Sequence, residues 1–278
     1  MEEIRIGLVQ MAMGKSRGKN VEKAVRMIDE AARRGADIVC LPELFETTYF
    51  PAIENANAEA VELPGRTAER LSSCARENGV TLIAGSVFES YRGRRYNTSL
   101  IFDSEGRQIG IYRKVHVPHD PYFYEKNYFS PGRSYRVVAT EKCKVGVLIC
   151  YDQWFPEAAR VNKLLGADVL FYPTAIGTVS TIEQTEGDWK EAWKTVQRGH
   201  AIANSMVVAA VNRVGTEGDM NFWGGSFVCD QFGNIIAEAD DSECVTVATC
   251  DIDLGRNIEK GWGFIRNRRP GTYGRLVE

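Results

Sequence analysis

The sequence predicts an α/β fold, a four-layer α-β-β-α sandwich with two mixed β-sheets, and three observations carry that expectation. Apolar strand-like runs alternate with amphipathic helical stretches, the pattern of an α/β chain. Two hairpin signals, one of them Asp103-Ser104-Glu105-Gly106, make the sheets mixed rather than purely parallel. Helices fall on only some of the connections, so two sheets packed together, each covered by helices, accommodate all the strands.

The elements follow in order. Ile4 to Val9 reads as a strand, and Val21, Ala24, Val25, Ile28, Ala31 and Ala32 then fall at helical spacing before the stop at Arg33-Arg34-Gly35. Ala36 to Leu41 is a short apolar strand that halts at Pro42-Glu43. Thr67 to Asn78 is helical and closes at Gly79, and Val80 to Val87 is the next strand. Thr98–Phe102 and Gln108–Tyr112 flank the hairpin turn. Val145–Ile149 is a strand, Glu157–Leu165 a helix ending at Gly166, and Asp168–Tyr172 a strand. A helix over 188–204 precedes strand Met206–Val211. Strands near Gly225–Cys229, Asn234–Ala237 and Val245–Cys250 complete the body, and 251–278 reads as an irregular, arginine-rich tail. With no repeat or Pro/Ser-rich linker, residues 1–278 are expected to form a single domain.

Composition excludes several classes. The 278 residues are 44% hydrophobic and 26% charged, which rules out a disordered chain. A formal net charge of −3, with no basic stripe, gives nucleic acid or an anionic membrane no electrostatic footprint. No apolar run approaches the roughly 18 residues of a membrane span, and the acidic Met1-Glu2-Glu3 start is unlike a signal peptide. Seven cysteines without a C-x-x-C pair fit a reduced, cytoplasmic protein, and three histidines without H-E-x-x-H make a catalytic metal unexpected. Gly14 to Asn20 lacks the glycine spacing of a phosphate loop and is expected to be a flexible turn; Asn97-Thr98-Ser99 is expected to be a chance glycosylation pattern.

In open α/β sheets, chemistry collects beyond the carboxyl ends of strands. Three such ends carry reactive side chains: Glu43 after Ile38–Pro42, Lys114 after Ile109–Arg113, and Cys150 after Val145–Ile149. A lone cysteine is usually a small buried hydrophobe, and that accounts for Cys40, Cys74, Cys143, Cys229, Cys244 and Cys250. Cys150 differs because its strand ends there and a polar turn follows; main-chain N–H groups at such a turn favour a thiolate and can hold an oxyanion. His200, inside a helical run, is expected to be packed rather than paired with a cysteine. The aromatics Tyr122-Phe123-Tyr124 and Tyr128-Phe129 read as a pocket wall or an interface.

Pro42-Glu43, Tyr112-Arg113-Lys114 and Ile149-Cys150-Tyr151-Asp152-Gln153-Trp154-Phe155-Pro156-Glu157 resemble the three signature segments of the nitrilase superfamily, the carbon–nitrogen hydrolases. The segments Phe171 to Gly177, Gly199-His200-Ala201 with Asn204, and Trp262-Gly263 through Pro270 resemble its N-carbamoylputrescine amidase branch. The resemblance implies hydrolysis of a non-peptide C–N bond through a cysteine acyl-enzyme, with N-carbamoylputrescine giving putrescine, ammonia and carbon dioxide. Its alternatives are an aliphatic or ω-amidase, or another N-carbamoyl amidohydrolase such as a β-ureidopropionase. It implies Cys150 as nucleophile, Glu43 as base, Lys114 with the Tyr151 N–H as oxyanion donors, and Glu125 as supporting carboxylate. No cofactor or metal is needed. A distal ammonium on the substrate wants carboxylates and aromatic faces: Asp120, Glu183 and Glu186 are candidates for the charge, Tyr49, Phe123 and Trp154 for the faces, with Thr174 and Ala175 beside them and the 177–187 loop as a lid. The apolar Trp154-Phe155-Pro156 entry and the tail aromatics Trp262, Phe264 and Tyr273 point to a homo-oligomer, a dimer or higher.

Overall fold

The computed structural model describes residues 3–278. In chain order its elements are β1 (Glu3–Gln10), α1 (Arg17–Arg33), β2 (Ile38–Cys40), β3 (Val61–Glu62), α2 (Arg66–Asn78), β4 (Thr81–Ile83), β5 (Val87–Tyr91), β6 (Arg94–Phe102), β7 (Gln108–Arg113), β8 (Val137–Ala139) and β9 (Lys144–Val147). They continue with α3 (Pro156–Leu164), β10 (Val169–Thr174), β11 (Gly177–Val179), α4 (Trp189–Asn204), β12 (Val207–Asn212), β13 (Val214–Glu217), β14 (Met220–Trp223), β15 (Phe227–Cys229), β16 (Ile235–Glu238), β17 (Cys244–Asp251) and α5 (Asp253–Gly261).

Two mixed sheets face each other. The first runs β17-β1-β2-β4-β6-β5-β3, with β7 paired to β6; the second runs β16-β15-β12-β10-β9-β8. The centre of each is parallel (β1-β2-β4 and β9-β10-β12), and the margins are antiparallel except for the parallel β3–β5 pair at one edge. Strand alternation sorts the core. Ile4, Ile6, Leu8, Ile38 and Cys40 turn inward to meet Val145, Val147, Val169 and Phe171 of the second sheet. Val9, Val39, Leu41 and Leu82 turn outward against Val21, Val25 and Ile28 of α1 and Leu71 and Ala75 of α2. Because both faces are covered, these strands read as unbroken apolar runs. Ala158 and Ala159 of α3 and Trp193 and Ala201 of α4 cover the second sheet, which completes the α-β-β-α sandwich.

The Gly14–Asn20 segment is ordered rather than flexible. Ser16 caps α1, and the Asn20 side chain bonds both the N–H and the carbonyl of Gly14 and also the Glu46 carbonyl. The C-terminal segment is not wholly irregular, since Asp253–Gly261 is helical around a buried Ile258. A third, three-stranded sheet, β11-β14-β13, has no counterpart in the sequence reading. Its strands are only three or four residues long, too short to show a period in the sequence. No helix among the described residues is long and apolar enough to cross a membrane.

Candidate active site

The carboxyl ends of β2, β9, β10 and β12 meet where the two sheets face each other, and the side chains just beyond them form one buried cluster. Glu43 follows β2. Gly85 (φ +52°) permits the approach of the neighbouring chain there, since a Cβ would lie 2.1 Å from the Pro42 carbonyl oxygen. Glu43 Oε1 accepts bonds from Lys114 Nζ (2.9 Å) and Asn97 Nδ2 (2.7 Å). Its Oε2 has no hydrogen-bond partner among the described residues. Lys114 follows β7, and its Nζ also donates to both oxygens of Glu125 at 2.8 and 2.7 Å. Tyr49 Oη donates to Glu125 Oε1 at 2.7 Å.

Lys114, Glu43 and Glu125 are all fully buried. Burial alone would drive Lys114 towards its neutral form, but the Glu125 and Glu43 carboxylates outweigh it and hold the ammonium above the usual lysine range. Burial pushes Glu125 up to about 7, against the pull of Lys114 and with the push of Glu43.

Cys150 opens a short 3-10 turn, Cys150–Trp154, at φ +45°, a left-handed conformation that a non-glycine residue keeps only when its surroundings fix it. Asp152 fixes it. Its carboxylate accepts from the Ile149 N–H (2.9 Å), Tyr112 Oη (2.7 Å) and the His116 N–H (2.9 Å), and it meets His116 Nδ1 at 2.7 Å. The thiol is only 6% exposed and donates to the Ala175 carbonyl at 3.7 Å. The expected thiolate is corrected here. Burial pushes the Cys150 thiol well above the usual cysteine range, the Glu43 charge adds to that, and the Lys114 ammonium offsets only part. Desolvation outweighs the turn, so the resting group is a protonated thiol.

A cavity of about 470 Å³ opens onto Cys150 and Glu125. Phe123, Tyr151, Trp154, Ile176, Ile182 and Trp189 supply its apolar wall, and Asp120 and Glu186 its outer charge. Trp189 Nε1 donates to Glu186 Oε2 at 3.2 Å. Among the expected substrate contacts, Asp120, Phe123, Tyr151 and Trp154 lie on this wall, whereas Tyr49, Thr174, Ala175 and Glu183 do not. Tyr49 is buried behind Glu125, which its hydroxyl holds. Thr174 is buried with its hydroxyl bonded to the Tyr172 carbonyl, and Ala175 presents its carbonyl to the thiol. The expected lid is partly strand, because Gly177–Val179 pairs with β14.

His200 is packed as expected, with Nε2 against the Gln153 carbonyl at 2.8 Å. Asn97 is buried and bonded to Glu43, so its glycosylation pattern is indeed incidental. Sequence reasoning assigned no site role to Asn97, Asn212 or Arg213. Asn212 brackets Ile176 of the cavity wall through both its N–H (3.0 Å) and its carbonyl (2.9 Å). A signal existed for the last two. Asn212-Arg213 ends the apolar run Val207–Val211 just as Cys150 ends its own strand.

A sequence profile described as carbon-nitrogen hydrolase matches residues 5–260. N-carbamoylputrescine amidase of Arabidopsis thaliana is 40% identical, over 98% of this chain and 94% of its own. Citrullinase of Francisella tularensis subsp. tularensis is 37% identical, over 100% and 99%. The crystal structure of a carbon-nitrogen hydrolase from Helicobacter pylori G27 superposes with a TM-score of 0.92 at 36% identity, over 99% of each chain. Matched in sequence and in fold along nearly its whole length, the chain belongs to the carbon–nitrogen hydrolase family.

Proposed function

We propose that this hydrolase cleaves the ureido group of an N-carbamoyl amine bearing a distal ammonium, N-carbamoylputrescine being the fitting example. One observation carries the reading. The cavity lining includes Asp120 and Glu186 together with the faces of Phe123, Trp154 and Trp189, and no lysine or arginine among the described residues lines it. A carboxylate-tailed substrate would want an arginine fork there, whereas an ammonium wants acids and aromatic faces. Arg133 lines a different cleft, and Arg268 belongs to a groove beside α3 and α4. The curated relative that acts as an N-carbamoylputrescine amidase points the same way.

In this reading the Cys150 sulfur attacks the ureido carbonyl as its proton passes to Glu43 Oε2, the oxygen without a partner. Because the thiol is protonated at rest, deprotonation and attack are coupled. The developing oxyanion takes one Nζ proton of Lys114 and the N–H of Tyr151, each such donor supplying about 3–4 kcal/mol. Lys114 has three protons, and because two of its bonds go to Glu125, one of those can be turned to substrate while each carboxylate keeps a bond. Collapse breaks the C–N bond, and the leaving nitrogen takes the proton from Glu43. Glu43 then removes a proton from water, which attacks the thioester carbonyl; the departing Cys150 sulfur takes that proton back from Glu43, and the carbamic acid released breaks down to carbon dioxide and the amine. Every step is completed by side chains of this chain.

The citrullinase relative supports a second reading, a ureido amino acid. Citrulline would bring the same ammonium but also a carboxylate that this lining leaves without a cation. Ammonia release measured for N-carbamoylputrescine, citrulline and N-carbamoyl-β-alanine decides. We expect kcat/KM for the first to exceed that for the last by at least about 10-fold, or about 1.4 kcal/mol. Equal or reversed values remove the charge argument. We also infer a cytoplasmic setting from the seven cysteines without a C-x-x-C pair, and assembly through the exposed tail aromatics, Trp262 being 61% exposed.

A further inference from the structure

Arg213 is a cation that the mechanism above leaves idle. It follows β12, it is completely buried, and it lines no part of the cavity at Cys150. A buried guanidinium is costly unless it is put to use. Its Nη2 donates to the Thr47 carbonyl at 2.7 Å and the Leu44 carbonyl at 3.4 Å. Its Nη1 lies 3.5 Å from Glu217 Oε1, and its plane rests 5.0 Å from the Phe222 ring centre and 6.0 Å from that of Tyr49.

The gripped segment is the turn that begins at Glu43. Leu44 sits at φ +47°, a conformation leucine does not hold unaided. Its N–H is fixed by Ser86 Oγ at 2.9 Å, and its carbonyl accepts the Thr47 N–H at 3.1 Å as well as Arg213 Nη2. The Glu43 N–H is held in turn by the Thr174 carbonyl at 3.4 Å. Arg213 thus ties both ends of the turn that aims the Glu43 carboxylate, most closely at the Thr47 carbonyl.

The surroundings also matter electrostatically. Titratable groups reach Arg213 from every side: Glu217 of β13, Glu43 after β2, Tyr49 in the following loop and Cys150 after β9. Lys114 and Glu125 lie beyond Glu43. Burial pulls the guanidinium down while Glu217 and Glu43 pull it back, so the charge is sustained by the acids around it.

We propose that Arg213 is a positioning residue for the Glu43 base: it clamps the Leu44–Thr47 turn through its guanidinium and sets a second buried positive charge beside the segment that carries Glu43. The proposal rests on the reading of Glu43 as general base.

The test is the pH dependence of kcat/KM for ammonia release from N-carbamoylputrescine, whose acid limb reports the free-enzyme base. Arg213→Met removes fork and charge, Arg213→Lys removes the fork alone, and Glu217→Gln removes an opposing anion while keeping an acceptor for the Tyr49 N–H. Each variant is first checked for native circular dichroism. Arg213→Met should move the acid limb up by about one pH unit, the lower end of the shift expected from one nearby charge. Glu217→Gln should move it down, and Arg213→Lys should keep it in place while kcat falls at every pH. Displacements of opposite sign are not produced by loss of packing. Acid limbs that stay put in both Arg213→Met and Glu217→Gln overturn the proposal. Should Arg213→Met not fold, Glu217→Gln decides alone, and an unmoved or raised limb overturns it. Glu43→Gln run in parallel separates the two ideas. If it is active, the base reading falls and this proposal with it; if it is inactive while the limbs stay put, only the role of Arg213 falls.

Discussion

Replacing Lys114 by methionine keeps the length of the side chain and removes the one ammonium shared by two fully buried carboxylates. The three charge-assisted bonds that disappear are 2.7 to 2.9 Å long, and the residues that lose them have no water to turn to. Removing one partner of a buried pair costs about 3–5 kcal/mol. The cost must also depend on pH. Glu125 has a carboxyl raised from 4.5 to about 7 by burial, with Glu43 adding and Lys114 opposing. A carboxyl raised in the folded state favours folding fully below its unfolded value, and that contribution is lost as pH rises through the folded value. In the wild type this decline runs from about 4.5 to about 7. Without Lys114 the carboxyl rises further and the decline extends to higher pH. Urea unfolding of Lys114→Met should therefore show a small loss at about pH 5 and the full loss at about pH 8. Turnover at neutral pH should fall by about 100- to 1,000-fold, the cost of one oxyanion donor. Lys114→Met combined with Glu125→Gln should recover much of the stability at pH 8 and none of the turnover. A single variant within about 1 kcal/mol of wild type at pH 8, or equally destabilised at both pH values, refutes the picture of a charged, solvent-free cluster.

Cys150→Ala should abolish ammonia release with an unchanged unfolding midpoint, and Cys150→Ser should be severely impaired; appreciable turnover in the alanine variant removes the nucleophile assignment. Iodoacetamide at neutral pH should label the half-buried Cys244 before the protonated and buried Cys150, as peptide mapping would report. Asp152→Ala strands three donors, the Ile149 N–H, the His116 N–H and Tyr112 Oη, and should destabilise the fold by at least about 3 kcal/mol in urea titrations. Asp120→Asn should erode the preference for N-carbamoylputrescine over N-carbamoyl-β-alanine if Asp120 meets the ammonium. Light scattering at micromolar concentration should give at least a dimer mass; a monomer contradicts assembly through the tail, where Val277 is 88% exposed.

Much of the architecture could be read from the sequence because both faces of the central strands are covered, which writes them as apolar runs stopped by Pro42, Cys150 and Asn212. The same stops pointed to Glu43, Lys114 and Cys150 as a group. Asn97 escaped notice because it lies inside strand β6, and its bond to Glu43 joins residues 54 apart in the chain. The protonation of Cys150 was hidden for a related reason. Its sequence neighbours suggest an exposed turn, whereas the folded chain buries it, with the Ala175 carbonyl, 25 positions on and just beyond β10, against the thiol. Tyr49 could be seen as aromatic but not as the support of Glu125, since that role belongs to its hydroxyl and a contact spanning 76 positions. Local chemistry was readable; which groups are dry was not.

The site takes one half from each sheet: Glu43 and Lys114 hang from the first, Cys150 and Ala175 from the second. What holds the halves in step is largely the apolar seam of Ile4, Ile6, Leu8, Val147 and Phe171, reinforced by the Tyr112–Asp152 and Glu43–Thr174 bonds. Apolar packing has no preferred direction, so the halves are kept in register by the fit of their side chains. Turnover thereby acts as a gauge of sliding between the layers. A trimmed seam residue, such as Ile6→Val, would let the layers shift by a fraction of an ångström while costing only about 0.5–1.5 kcal/mol of stability. The chemistry, which tolerates little misplacement, would register that shift while the fold still looked intact to an unfolding experiment.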